Sequence, residues 1–352
     1  MTDAKANGVR DRASGPSRLS PMARENVRVY VPLVMAIVGL SIYTGTQNEL
    51  FLTWNNLKLI LLASVPLGIL AIGQTFLLVG GNLDLSVGSM VSMSSVMVAL
   101  LIRDHSMSEV LILVIVLGAG ALIGLIYGLI VALIRVPSFI LTLGGLSVIS
   151  GVGLTLSNTA TIGIREGFGT LRSTEWLGLR VAVLLWFALL VVGGFVLHFT
   201  RFGRNVFAMG SSKEAAYLSG VPIKLTTVVL FVVNSMLASL AGVLFFARIG
   251  AGAPRGGIGM ELTTIAAIVL GGTSLFGGRG TILGSFLGVL TLGVVQSSLT
   301  FLRVPETYSP MVFGGVLIAA VVITAVAELR RERLSRAVRA SSSSDQRETS
   351  GD

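Results

Sequence analysis

Apolar runs, most of them long enough to cross a bilayer, follow one another through nearly the whole of this 352-residue chain. A spanning helix needs about 20 consecutive apolar residues, and hydrocarbon supplies no water to unpaired peptide groups. The runs fall near 29–44, 57–79, 85–102, 110–134, 138–156, 181–199, 225–249, 262–276, 282–302 and 311–327. The first is short and carries Pro32, and the eighth is short and ends in glycine. Only 12% of residues are charged, against about a quarter in soluble domains, which excludes a pair of soluble domains. The expected fold is all-α: a polytopic membrane protein with about ten transmembrane helices, some broken by Gly-rich segments. Its membrane domain runs over 29–328, between disordered tails at 1–28 and 329–352.

The net charge of +9 sits in the two tails and in one internal loop. There it reads as an orientation signal, since lysine and arginine collect on the cytoplasmic side of short loops. With both termini cytoplasmic, 18 of the 26 basic residues fall on that side. A lipid bilayer is then the partner of the basic charge, and no nucleic acid is expected. The connection at 158–180, with Trp176, faces outward as a lid or docking surface. The connection at 200–224 faces the cytoplasm. Within it Ser211 or Ser212 is placed to cap a short helix, and Gly220 with Pro222 stops it. That predicts about two turns lying on the membrane surface.

Between the second and third runs stands Gly80-Gly81-Asn82-Leu83-Asp84-Leu85-Ser86-Val87-Gly88. An ionisable residue at membrane depth is a functional hypothesis in its own right. One reading makes Asp84, Ser86 and Gly88 a break that lines or gates a pathway. The other makes them a tight cytoplasmic turn, with Asp84 or Ser86 capping the next helix. A second glycine-rich stretch, 271–284, includes Gly271, Gly272, Thr273 and Ser274. Interrupted segments in both halves point to a transport path, while close helix packing explains such glycines equally well. Gly118, Gly120, Gly124 and Gly128 read as packing glycines. Gln74, Thr75, Ser92, Ser94, Ser95, Thr142, Ser147, Asn234, Ser235 and Gln296 are polar residues inside spans. Gln74, Asn234 and Gln296 are the substrate candidates, and such an inventory suits a neutral polar solute better than an ion.

Cysteine is absent, and His105 and His198 stand far apart without ligand spacing. Neither a metal nor a cofactor is expected on this chain. None of the four lysines follows a glycine, so the phosphate loop G-x-x-x-x-G-K-[ST] cannot occur. ATP and Mg, if used, belong to a partner chain. No catalytic constellation supports an enzyme.

Three stretches in order resemble the permease subunit of bacterial ATP-binding-cassette sugar importers of the ribose/xylose/galactoside type. Gly80–Gly88 is similar to that family's G-G-[IN]-D-L-S-V-G, with Asn82-Leu83 before Asp84. Residues 265–284 are similar to I-A-A-x-x-x-G-G-T-S-L-x-G-G-x-G-x-x-x-G. Gly210-x3-Glu214-Ala215-Ala216-x3-Gly220 matches the core of the loop that docks on the ATPase, although the later I-x-L-P is not evident. The resemblance implies a bacterial inner-membrane permease that forms the path for a monosaccharide or similar polar solute. It also implies a cytoplasmic ATPase, an extracytoplasmic sugar-binding protein and a second permease copy. The segment 212–219 would be the coupling helix, with Lys213 and Glu214 as docking contacts. An ion-coupled secondary transporter centred on Asp84, and a permease for amino acids or nucleosides, are the alternatives.

Overall fold

A computed structural model of the chain describes residues 21–105, 107–164, 167–316, 318, 319 and 322. Its long helices are α1 (Pro21–Gln47), α2 (Trp54–Val79), α3 (Val87–His105), α4 (Glu109–Leu129) and α5 (Ser138–Leu156). After the short α6 (Gly169–Ser173) come α7 (Val181–Phe199), α8 (Arg201–Ser211), α9 (Lys213–Leu218) and α10 (Ile223–Ile249). The last two are α11 (Met260–Leu270) and α12 (Ile282–Phe301). Among the described residues, eight helices are long and apolar enough to cross a membrane. Helix α1 begins at Pro21, inside the stretch assigned above to the N-terminal tail. The last run, 311–327, lies largely outside the described residues.

Helices α2 and α10 form the buried centre. Helix α10 packs along α4, α2 and α3, and α2 packs against α12 and α11. The α4–α10 seam is glycine-made. A Cβ on Gly120 would stand 2.8 Å from the Ser235 carbonyl oxygen, and one on Gly124 2.4 Å from that of Phe231. Bare backbone lets the axes approach closely, which is how membrane helices gain dispersion contacts where water drives nothing. Gly128 joins the seam against Val228, but Gly118 does not: it faces open space. On the other flank the fully buried Trp186 of α7 lies over Gly68 of α2.

The eighth run corrects the sequence reading. Its helix covers only Met260–Leu270, about 16 Å at 1.5 Å per residue, half of a hydrocarbon core of roughly 30 Å. The other half of the crossing is non-helical chain, a two-residue strand followed by turns. From Gly250, where α10 ends, residues 251–259 run back along α3. A Cβ on Gly252 would stand 2.7 Å from Ala99 Cβ, and one on Gly257 2.1 Å from the Gly88 carbonyl oxygen. The chain is therefore non-helical on both sides of α11, over 250–259 as well as over the glycine-rich 271–281.

Candidate functional site: two broken segments meeting at the start of α3

Non-helical backbone at membrane depth persists only where protein satisfies its polar groups, and both breaks meet that condition. In the first, Asp84 is fully buried. Ser86 donates its N–H (2.8 Å) and its hydroxyl (2.6 Å) to Oδ1, while Asn234 Nδ2 of α10 donates to Oδ2 at 2.9 Å. All three bonds are donated to the carboxyl group. Gln74 Nε2 of α2 donates to the Asp84 main-chain carbonyl. From α5, Ser138 Oγ accepts the Leu83 N–H (3.1 Å) and Thr142 Oγ1 the Leu85 N–H (3.0 Å).

Gln74 stands five residues before the end of α2, about 8 Å along the axis, so the chain folds back into the bundle after Gly80. It is a re-entrant turn whose Asp84 supports the backbone into α3. The turn that the sequence offered is present here, with Asp84 accepting the Ser86 N–H ahead of α3. In the second break, Ser95 Oγ accepts the Ala253 N–H (3.1 Å) and Ser92 Oγ the Gly257 N–H (2.9 Å). Two serines of α3 so satisfy main-chain N–H groups of this non-helical segment.

The breaks touch at Gly88. A Cβ there would stand 2.1 Å from Glu261 Oε2 and 2.4 Å from the Gly257 carbonyl oxygen. Glu261 lies in the first turn of α11 and accepts the Gly259 N–H at 3.1 Å. Sequence reasoning passed over Glu261. A lone acid in an apolar run was its signal, the same one that drew attention to Asp84.

Gln74 and Asn234, two of the substrate candidates, both hold Asp84. Gln296 does not join them: it sits half-buried toward the other end of α12, next to Ser297, whose hydroxyl donates to Asn56 near the start of α2. Gly271 abuts Gly284, where a Cβ would fall 2.2 Å from the carbonyl oxygen, and Gly272 lies beside Val29 of α1. Thr273 and Ser274 are buried in the turn, with the Ser274 N–H bonded to the Arg279 carbonyl at 3.0 Å. These four residues pack the α11–α12 hairpin.

Three distant segments also meet at the foot of α2. The Gly278 N–H donates to the Val79 carbonyl at 2.8 Å. Gly210, in the last turn of α8, fits against the same carbonyl, and Gly277 lies beside Gly81 and Gly210. The turn after α2, the end of α8 and the turn after α11 are thus locked backbone to backbone. Helix α8 itself was not foreseen in the 200–224 loop; its Gly203, Val206 and Met209 are buried. Helix α9 follows at once. Ser212 caps it by accepting the Ala215 N–H at 3.2 Å, and Gly220 ends it with φ +77°. Lys213, Glu214 and Ala215 are exposed while Ala216 is buried, and Tyr217 and Leu218 are 73% and 80% exposed.

On α5, Gly144, Ser147, Gly151 and Thr155 make one exposed line of small and polar residues, with open space beside both glycines. At the other end of the bundle the 158–180 connection folds into a strand (Ile162–Gly163) paired with Ala251–Gly252 and a hairpin (Glu175–Trp176 with Leu179–Arg180). Lys58 of α2 and Glu175 form an ion pair at 3.3 Å, and Trp176 is 68% exposed at the tip.

A bundle of membrane-spanning helices, two re-entrant segments at its centre and a short amphipathic pair of helices at one end together define a multi-pass transport permease, not an enzyme. Residues 56–321 match the family described as branched-chain amino acid transport system / permease component. The chain belongs to that family. It is 35% identical over 285 residues to the inner membrane ABC transporter permease protein YjfF of Escherichia coli (strain K12), covering 80% of this chain and 86% of that one. It is 37% identical to the L-arabinose ABC transporter permease protein AraH of Azospirillum brasilense, over 77% of this chain and 80% of that protein. It is 33% identical to the ribose import permease protein RbsC of Escherichia coli (strain K12), over 82% and 92%. Among solved structures none matches.

Proposed function

We propose that this chain is the permease subunit of an inner-membrane ATP-binding-cassette importer for a monosaccharide. The observation that carries the reading is similarity over 77% and 82% of the chain to permeases for arabinose and ribose, combined with the joint between α8, the first break and the turn after α11. A separate cytoplasmic ATPase, holding ATP and Mg, engages the exposed edge of α9 through Lys213, Glu214 and Tyr217, beside the stop at Gly220. Both termini and α8–α9 face the cytoplasm, in line with the distribution of lysine and arginine. Pulling α9 moves Gly210, and Gly210 is wedged against the turn that leads into Asp84 and the turn that follows α11. An extracytoplasmic sugar-binding protein delivers solute at the opposite end, where the 158–180 connection stands. A second copy of the chain completes the path, because the line of Gly144, Ser147, Gly151 and Thr155 suits an aqueous or helix-packed neighbour better than acyl chains.

The tagged chain, purified from its native membrane in mild detergent, should carry an ATPase with a phosphate loop, and Glu214→Ala with Gly220→Val should lose it. A chain recovered alone that moves solute into vesicles without ATP would overturn the reading. The family description favours a second solute class, branched-chain amino acids. Uptake blocked by leucine and indifferent to pentoses and hexoses would select it.

A further inference from the structure

Beside α9 lies a groove of 1070 Å³, walled by the π-helical turn Ile130–Ile134 that continues α4 and the residues after it, the start of α5, α9 and the start of α10. Three cations line it, Arg135, Lys213 and Lys224, against one acid, Glu214. All four are exposed, and none has an ion-pair or hydrogen-bond partner among the described residues. Lys224 is the second residue of α10, where the positive end of the helix dipole disfavours a cation unless an anion stands near. The outer wall is apolar. Phe139 and Leu225 are 51% and 64% exposed on helices that cross the membrane, so the groove is continuous with the bilayer-facing surface. Its inner end reaches Gly81 and Asn82, the start of the first break.

We infer that this groove binds an anionic phospholipid, with the phosphate between Arg135 and Lys224 and an acyl chain along Phe139 and Leu225, while Lys213 and Glu214 on the α9 wall stay with the ATPase contact. A basic pocket between helices at the cytoplasmic face is the chemistry that recognises such headgroups. A zwitterionic lipid lacks the net charge to answer a groove carrying two excess cations, and free phosphate lacks the chain that the apolar wall accepts. The occupant touches the coupling helix and the first break at once, so lipid composition sets how firmly the two are held together. The inference takes from the proposed function the side of the membrane on which the groove opens and the coupling role of α9.

The test reads lipid retention on the full chain, purified without its partners and analysed by native mass spectrometry after mixing with phosphatidylglycerol or phosphatidylcholine of matched chains. Wild type should retain phosphatidylglycerol in preference. The double variant Arg135→Gln, Lys224→Gln should lose about 25-fold of that affinity, at roughly fivefold per charge. Arg135→Lys with Lys224→Arg should keep it, which separates lost charge from lost fold. Equal retention of the two lipids by wild type, or unchanged phosphatidylglycerol binding in the double glutamine variant, would overturn the proposal. So would displacement of the lipid by inorganic phosphate, or by an added ATPase, which would make the groove part of the protein interface. Capture of an ATPase is not needed for any of these readings, so failure of the importer reading leaves them interpretable.

Discussion

Gly210 and Val79 lie so close that a Cβ on the glycine would stand 1.8 Å from the valine carbonyl oxygen. The obstacle is backbone, and that oxygen already accepts the Gly278 N–H at 2.8 Å, so neither side can give without opening the joint. Overpacking of this kind costs roughly 1–3 kcal/mol. Gly210→Ala should therefore lower the midpoint of thermal unfolding in detergent. It should also reduce transport more than it reduces ATPase binding, because α9 remains intact. Transport equal to wild type would show that the joint transmits nothing.

Gly220 offers the contrast. Its φ of +77° is left-handed, yet an added Cβ would meet nothing within 4 Å. Gly220→Ala carries only the conformational cost, about 1–2 kcal/mol, confined to the exit from α9. The bundle should keep nearly its full thermal stability while affinity for the partner ATPase falls. A loss of stability matching that of Gly210→Ala would contradict this assignment.

Asp84 and Asn234, 150 residues apart in sequence and 2.9 Å apart in space, pin the first break to α10. Asp84→Ala strands the Ser86 hydroxyl and N–H and the Asn234 amide, each buried donor costing about 1–3 kcal/mol. Asn234→Ala removes one of the three bonds to the carboxyl group and should be the milder change. In a double-mutant cycle read by denaturation in detergent, the pair should depart from additivity by about 0.5–3 kcal/mol. Additive losses would place the two residues in separate networks.

How far these elements could be read from the sequence follows from where their hydrogen bonds go. Long apolar runs declare themselves, because each spanning helix pairs its own backbone. Helix α9 was legible because its cap, Ser212, and its stop, Gly220, are local. The non-helical half of the broken span was not. The stretch 250–259 looks like a loop, and the serines that let it lie inside the bundle, Ser92 and Ser95, come from some 160 residues earlier. Helix α8 was hidden for a related reason: its buried face, Val206 and Met209, is too short to signal itself without the surface it covers. That Gln296 stands apart from Gln74 and Asn234 was not legible either, because an amide in an apolar run does not say toward which end of the bundle its helix carries it.

The line along α5 gives the most direct test of the path, because the natural chain contains no cysteine and any introduced thiol is the sole one. A thiol reacts as its thiolate, which forms in water and is suppressed in hydrocarbon. Ser147 is exposed on α5 between Gly144 and Gly151, whereas Leu122, 58% exposed on α4, stands among apolar neighbours. With a membrane-impermeant methanethiosulfonate, Ser147→Cys should react roughly tenfold or more faster than Leu122→Cys. The difference should shrink when transported solute occupies the path. Equal, slow labelling of both would put Ser147 against lipid or a tightly packed second copy. The solute path would then have to run elsewhere, and the re-entrant segments around Gly88 and Glu261 would be the next place to introduce a thiol.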